Sequence, residues 1–249
     1  MISTGSHLSI YAFIFSKIFK IPLILQEQNF LLSKSVRFLL PFSKYVFLGF
    51  PLKKKNKKFV LTGNPIIFPE KKLEKKEARR ILGLENKKTI LFYGGSQGSK
   101  FINNCFIEVE KELRDYQIIV IWGYYEIPED LLKLSNRFIY RFRRDMDIVY
   151  QAVDFAVCRA GALTLTELIY YKIPSVLIPY PYAAKNHQLI NALNFKKITG
   201  CEVIEEKYYS KVKLFSSLRR IEERKEEIIK RMGEFSFEER IKKIEEILC

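Results

Sequence analysis

Residues 89–99 run Thr89-Ile90-Leu91-Phe92-Tyr93-Gly94-Gly95-Ser96-Gln97-Gly98-Ser99. The first five suit a strand buried on both faces. A glycine turn ends it, and helical periodicity takes over across 100–113. The same order recurs further on: apolar residues at 155–158, then Arg159-Ala160-Gly161, then helical spacing over 163–171. Apolar runs bounded by turn residues at 22–25, 45–50, 117–122 and 175–179 read as further buried strands. Helical segments lie between them at 75–82, 146–152 and 187–195. Alternation of this kind predicts an α/β protein with a parallel sheet covered on both faces.

Two charged blocks, 53–58 (KKKNKK) and 70–80, flank Thr62-Gly63-Asn64-Pro65, a turn sequence. The expected division is therefore a first domain over 1–62, a second over 63–230 and a closing helix over 231–249 that packs back toward the first. Residues 8–25 are nearly apolar, but Lys17, Lys20 and Pro22 interrupt them, and a membrane span needs about 20 apolar residues. A basic start and a small-residue cleavage site are both missing, so a signal peptide is not read either. The stretch is expected to be a buried helix over 6–19 and a buried strand over 22–25. From 214 to 249 the chain is charged with a thin apolar stripe, as a surface helix or pair of helices would be. Met1-Ile2-Ser3-Thr4-Gly5 reads as a strand end entering a glycine turn, which leads us to expect that a segment upstream completes this domain.

With 249 residues the chain has room for one large or two modest domains. Hydrophobic residues at 48% and charged residues at 29% mark a globular chain. A formal charge of +15 calls for an anionic partner: nucleic acid, anionic lipid or a phosphorylated substrate. No nucleic-acid module is recognisable, so nucleic acid is not expected. Cys105, Cys158, Cys201 and Cys249 show no CxxC spacing and read as reduced thiols.

Three stretches carry chemistry. Glycines at 94, 95 and 98 let backbone approach a ligand, and free N–H groups at the following helix start favour phosphate; a purely structural turn fits as well. Next, Thr164 and the N–H groups of Ala162, Leu163 and Thr164 could hold a second phosphate, with Glu167 one turn on accepting from ribose hydroxyls. The alternative is a capping box in which Thr164 caps and Glu167 reaches back. Gln26-Glu27-Gln28-Asn29 stands at the carboxyl end of a strand, where α/β ligands sit. Asp145-Met146-Asp147 has a metal-motif spacing but falls at a helix start, so Asp145 is read as an N-cap and no metal site is expected. His187, just before a helix, reads as a cap or surface residue before a base.

Five pieces stand in one order: Glu27-Gln28-Asn29, Gly63-Asn64-Pro65, Gly94-Gly95-Ser96-Gln97-Gly98, Phe142-x-x-Asp145-Met146, and Arg159 through Glu167. Pro174 and the pair His187-Gln188 before Asn191-Ala192 follow. Together they resemble the MurG family, whose members transfer N-acetylglucosamine, with inversion, from UDP-N-acetylglucosamine to an undecaprenyl-linked acceptor for peptidoglycan synthesis. The resemblance implies a GT-B fold of two Rossmann-like domains, the N-terminal one incomplete here. It implies UDP-N-acetylglucosamine as donor, no required cofactor, and a peripheral place on the cytoplasmic face of the bacterial inner membrane. Donor contacts carried over are Ser96 and Gln97 on the diphosphate and nucleoside, the backbone at Arg143 on uracil, Ala162, Leu163 and Thr164 on phosphate, Glu167 on ribose, and Gln188 on sugar hydroxyls. Asn29 would approach the sugar from the first domain, and Thr4, Gly5 and Ser6 lie on the acceptor side. The general base is unassigned, with Glu27, Asn29 and His187 as weak candidates.

The sequence departs from the family at Gln26 (usually His), Ile67 (usually Arg) and Arg143-Arg144 (usually Ile-Asp), and the G-x-G-G-H loop is absent. The chain alone is therefore expected not to transfer sugar. Alternatives are another GT-B lipid glycosyltransferase, or a donor-binding subunit completed by a separate N-terminal chain. For an anionic membrane surface, the expected anchor is Phe30-Leu31-Leu32 with Lys34, Arg37, Lys44 and the 53–58 run.

Overall fold

Backbone hydrogen bonding sorts the strands into two sheets, both parallel throughout. They belong to two separate units, 1–66 with 235–249, and 67–234. The structure is a computed structural model and describes residues 1–5, 8–69 and 71–248, without the side chain of Glu238.

In the first unit β1 (Ile2–Ser3), β2 (Ile24–Glu27), β3 (Tyr45–Leu48) and β4 (Phe59–Leu61) lie side by side in chain order. Helices α1 (Ser9–Ile18) and α2 (Lys34–Leu39) precede β2 and β3, and the last helix of the chain, Phe237–Leu248, also belongs here. Leu23, Leu25, Val36, Leu39, Val46 and Leu48 form the core. The expected buried helix over 6–19 is corrected: α1 is shorter, and only Ser9 and Ser16 within it are fully buried. Ser9, Ala12, Phe13 and Ser16 share one face at helical spacing. Ala12 and Phe13 pack on the core, and the Ser3 hydroxyl donates to the Ser9 hydroxyl at 2.9 Å. Ser9, Ala12 and Ser16 let the helix lie close, and the large residues other than Phe13 point away: Phe15 is 48% and Ile18 64% exposed. Its serines lie on the buried face and apolar residues on the outer one, the reverse of the usual pattern, which is why sequence alone misassigned it. No helix among the described residues is long and apolar enough to cross a membrane.

Strand β2 runs two residues later than expected because Gln26 and Glu27 continue the ladder to Phe47 and Leu48. Their side chains are buried yet satisfied. Gln26 Nε2 donates to the Gly63 carbonyl (3.3 Å) and Asn64 Oδ1 (3.4 Å). Asn64 Nδ2 in turn donates to the Gln28 carbonyl (3.0 Å). The expected anchor at Phe30 is also corrected: Phe30 is buried and stacks on Phe50 at 4.1 Å between centroids.

The second unit contains α3 (Lys75–Ile81), β5 (Thr89–Tyr93), α4 (Lys100–Val109), β6 (Gln117–Ile121), β7 (Arg137–Tyr140), α5 (Met146–Ala152), β8 (Phe155–Cys158) and α6 (Ala162–Tyr170). Then come β9 (Ser175–Leu177), α7 (His187–Thr199), β10 (Glu202–Val203), α8 (Lys211–Glu223) and α9 (Lys225–Gly233). The sheet order is β10-β9-β8-β5-β6-β7. From β5 the chain builds outward through β6 to β7, then returns to set β8 against the other side of β5 and builds the opposite way. Such a reversal leaves a crevice at the carboxyl ends of β5 and β8. Strands β4, β7 and β10 escaped the sequence reading; β4 and β7 are only half-buried edge strands, and β10 has two residues.

Asp154, just before β8, ties the amino ends of this sheet to α3. Its carboxylate accepts from Arg79 Nη2 (2.5 Å), Lys75 Nζ (2.8 Å) and the Thr89 N–H (2.9 Å). Burial pushes its carboxyl up, but Lys75, the Thr89 N–H and Arg79 outweigh that and hold it below the usual range. Burial also draws Lys75 down, so the pair with Arg79, both side chains 8% exposed, is the stronger contact. Asp154→Ala should cost about 3–5 kcal/mol at pH 7, because Arg79 is left buried without its counter-ion. A carboxyl lowered by folding contributes stability above its unfolded pKa and loses it as pH falls through the folded one. The gap between wild type and variant in urea melts should therefore shrink in acid; an equal gap at pH 7 and pH 3 would show that the pin is not electrostatic.

Candidate functional site

Two strand-to-helix turns meet at the crevice, since Tyr93 at the end of β5 pairs with Cys158 at the end of β8. The first turn holds Gly95 and Gly98, both at positive φ (+95° and +79°). A Cβ on Gly98 would lie 2.3 Å from the Trp122 carbonyl, so the loop rests directly on the end of β6, whereas one on Gly95 would meet nothing within 4 Å. Ser99 caps α4, its hydroxyl accepting from the Ile102 N–H at 3.4 Å.

In the second turn Gly161 is the N-cap of α6, extended at φ −67°, ψ 144°, and the first helical bond is Leu165 N–H to the Gly161 carbonyl. The N–H groups of Ala162, Leu163 and Thr164 therefore open the helix with no acceptor among the described residues, at the positive end of its dipole. This corrects the capping-box reading. Thr164 is the third helical residue and caps nothing. Glu167 turns instead to Tyr150, whose hydroxyl donates to its Oε2 at 2.9 Å. Burial pushes the Glu167 carboxyl up, and the Tyr150 hydrogen bond opposes that.

Arg159 went unread as a site residue. Its Nε and Nη2 donate to the Ser99 hydroxyl (3.1 and 2.8 Å), its Nη1 to the Ile178 carbonyl (3.1 Å), and Nη1 also pairs with Glu206 at 2.5 Å. The guanidinium lies near the rings of Phe101 and Tyr180, 5.6 and 5.4 Å from their centroids. It thus clamps the two turns together. A charged residue directly after a buried strand was the signal that could have found it.

A cavity of about 530 Å³ opens here, lined by the 94–101 loop, Tyr125, Arg159, Tyr180, Gln188 and Glu206. Of the residues expected on sequence grounds it brings together Ser96, Gln97 and Gln188. Gln188 Oε1 accepts from the Tyr180 N–H at 3.0 Å. Ala162, Leu163, Thr164, Glu167 and Arg143 are not in its wall; Glu167 reaches the end of β5 through Tyr150, whose ring meets that of Tyr93 edge-on at 6.5 Å. His187 Nδ1 lies 2.8 Å from the Ala184 carbonyl. Asp145 occupies the N-cap position of α5 but makes no capping hydrogen bond, which corrects its expected role. Both its oxygens accept from Arg143 (2.8 and 2.5 Å), and that pair lowers its carboxyl below the usual range. Among the described residues no group of three or more His, Cys, Asp or Glu is placed to hold a metal.

The remaining expected residues belong to the first unit. Glu27 is buried and accepts from the Asn29 N–H (3.1 Å), Asn29 Nδ2 (3.2 Å) and the Ser33 N–H (2.6 Å), so its carboxylate shapes its own loop. Thr4 is exposed and Gly5 sits at φ +88°; Ser6 lies outside the described residues.

Comparison with known proteins adds the following. Residues 89–247 match the family described as Glycosyltransferase family 28 C-terminal domain. The chain is 33% identical over 217 residues to a UDP-N-acetylglucosamine–N-acetylmuramyl-(pentapeptide) pyrophosphoryl-undecaprenol N-acetylglucosamine transferase of Sulfurihydrogenibium sp. (strain YO3AOP1), covering 86% of this chain and 61% of the relative. It is 31% identical over 260 residues to the protein of that name from Caldicellulosiruptor saccharolyticus, covering 97% of this chain and 70% of the relative. A crystal structure of Acinetobacter baumannii MurG superposes with a TM-score of 0.73 at 23% identity, over 93% of this chain and 67% of that one. The chain spans about three fifths of the length of the first of these relatives.

The two glycines of the first turn give an ordered expectation. Gly95→Ala pays only for the left-handed backbone, about 1–2 kcal/mol. Gly98→Ala adds the clash with the Trp122 carbonyl and should cost distinctly more. Urea unfolding of both variants checks the order; equal losses would mean that the loop does not rest on β6.

Proposed function

The chain belongs to the MurG family of GT-B glycosyltransferases, and on that premise we propose that its 67–234 unit binds UDP-N-acetylglucosamine for transfer of the sugar to an undecaprenyl-linked acceptor, the step that makes lipid II. The observation that carries this reading is the pair of turns at the β5/β8 reversal, where three N–H groups without acceptors open α6 and Glu167 stands one turn along it. Backbone N–H groups at a helix start suit a diphosphate, and a carboxylate one turn on suits ribose hydroxyls.

Ala162, Leu163 and Thr164 hold phosphate, while Ser96 and Gln97 line the cavity beside it. Glu167 takes the ribose, the backbone at Arg143 the uracil edge, and Gln188 the sugar hydroxyls. The acceptor hydroxyl attacks the anomeric carbon from the face opposite UDP, and negative charge gathers on the departing diphosphate. Fixed N–H groups and the α6 dipole meet that charge without having to reorganise. No side chain is assigned as the base.

The acceptor's lipid stays in a bilayer, so the protein works at a membrane surface. Ile14, Phe15, Ile18 and Phe19 leave α1 with an exposed apolar face, and Lys17 and Lys20 lie beside it. Apolar insertion and basic residues are the two signals that reversible attachment needs, each basic residue near an anionic surface adding about 1 kcal/mol.

Calorimetry with UDP tests the donor site. Wild type should bind, and Glu167→Gln should bind about 1–3 kcal/mol more weakly while melting as wild type does. No heat at millimolar UDP would sink the assignment. For the surface, Phe15→Asp with Ile18→Asp should lower sedimentation with anionic vesicles, and salt should weaken what binding remains; wild-type binding that ignores both anionic lipid and salt would remove the electrostatic part.

A further inference from the structure

Glu167 is the one carboxylate proposed to read the nucleoside, yet its side chain has three rotatable bonds and no salt bridge among the described residues. What holds it is a tyrosine on a different helix. Tyr150, on α5, is 3% exposed, and its hydroxyl donates to Glu167 Oε2 at 2.9 Å. The ring cannot swing away. Tyr171 stacks against it at 5.2 Å with an interplanar angle of 29°, and Tyr93 meets it edge-on at 6.5 Å and 78°. Glu167 Oε1 has no protein partner in the hydrogen bonds of the described residues. On the helix, Glu167 follows Leu163 by four residues and Thr164 by three, so all three share the face that begins with the free N–H groups.

We propose that Tyr150 is a positioning residue for the nucleotide: it fixes one carboxylate oxygen of Glu167 so that the carboxylate meets the ribose hydroxyls of a nucleoside diphosphate seated at the start of α6. This rests on the donor-site reading above and adds to it the group that orients the ribose contact.

The chemistry of the surroundings supports the assignment. The groups facing Glu167 are Tyr150 from α5, Tyr93 from β5, Cys158 from β8 and Tyr171 beyond α6. None is a cation, so none favours the ionised carboxylate by charge. Burial pushes the Glu167 carboxyl up, and the Tyr150 hydroxyl is the group that opposes the rise. Burial also keeps Tyr150 far above the ordinary phenol range, so it remains a donor at neutral pH. Removing the hydroxyl frees the carboxylate to rotate and lets its pKa climb; a protonated carboxyl is the poorer acceptor for two hydroxyls.

The test is calorimetry on the full chain with UDP and with 2′,3′-dideoxy-UDP between pH 5 and 8. Wild type, Tyr150→Phe, Glu167→Gln and the double variant are compared after their melting temperatures are read. Tyr150→Phe should bind UDP about tenfold more weakly at pH 7, as for one lost hydrogen bond to a charged group. Its affinity should fall off in acid at a higher pH than that of wild type, and its affinity for the dideoxy nucleotide should be unchanged. The double variant should bind no more weakly than Glu167→Gln alone. Site-specific 4-aminophenylalanine at position 150, which restores an N–H donor on the same ring, should recover UDP binding and also serves if Tyr150→Phe does not fold.

Equal losses for UDP and the dideoxy nucleotide would overturn the proposal, as would an unmoved pH profile or no recovery from a folded aminophenylalanine variant. If Glu167→Gln weakens UDP binding while Tyr150→Phe does not, the proposal fails and the donor site stands. If wild type does not bind UDP, the donor site fails and takes the proposal with it.

Discussion

Parallel strands send all their carboxyl ends to one edge of the sheet, and the order β10-β9-β8-β5-β6-β7 turns back between β8 and β5. On either side of that line the loops that follow β5 and β8 lead off in opposite directions, to β6 and to β9, so the two turns stay open. Everything at the site follows from this. The register that sets Tyr93 against Cys158 brings the glycine loop beside the start of α6, although they are far apart in the chain. Arg159 then fastens one turn to the other through Ser99, and Gly98 seats the loop on β6. The helix starts are left facing the crevice with donors to spare, a property of backbone geometry before it is one of any side chain.

How much of this could be read in advance depended on how deeply each segment is buried. Thr89 to Tyr93 and Phe155 to Cys158 were legible to the residue because a strand covered on both faces is apolar throughout and stops where a turn must begin. The half-buried edge strands β4 and β7 lack that contrast and were missed. Local patterns failed where a distant partner intervened. Thr164 and Glu167 have capping-box spacing, but the spacing cannot reveal that Gly161 starts the helix or that Tyr150 waits on another element. Asp145 likewise looks like a cap until Arg143 takes both its oxygens. The apolar residues of α1 named a helix correctly but made it read as buried, since Ile14, Phe15 and Ile18 on its outer side are of the kind a core would hold.

The first unit shows why separated motifs keep their order. Gln26 reaches the Gly63 carbonyl and Asn64 Oδ1, and Asn64 reaches back to Gln28, so the polar end of β2 and the turn after β4 form one network. Gly49 belongs to it because a Cβ there would fall 2.1 Å from Asn64 Oδ1. Gln26 thus supplies the N–H donor that this buried strand end requires.

The net charge of +15 invites the thought that free arginines would meet an anion at the two turns, but Arg159 and Arg143 are already committed. Arg159, the buried cation in the cavity wall, is already paired with Glu206 and committed to Ser99 and the Ile178 carbonyl. Arg143 is paired with Asp145. The N–H groups at Ala162, Leu163 and Thr164 are without acceptors among the described residues, carry partial charges fixed in direction and need no counter-ion. A diphosphate bound there, as proposed, would meet fixed dipoles and not bare cations held against each other. Part of the surplus charge lies on exposed stretches such as 53–57, which would suit the proposed anionic surface better than a single nucleotide.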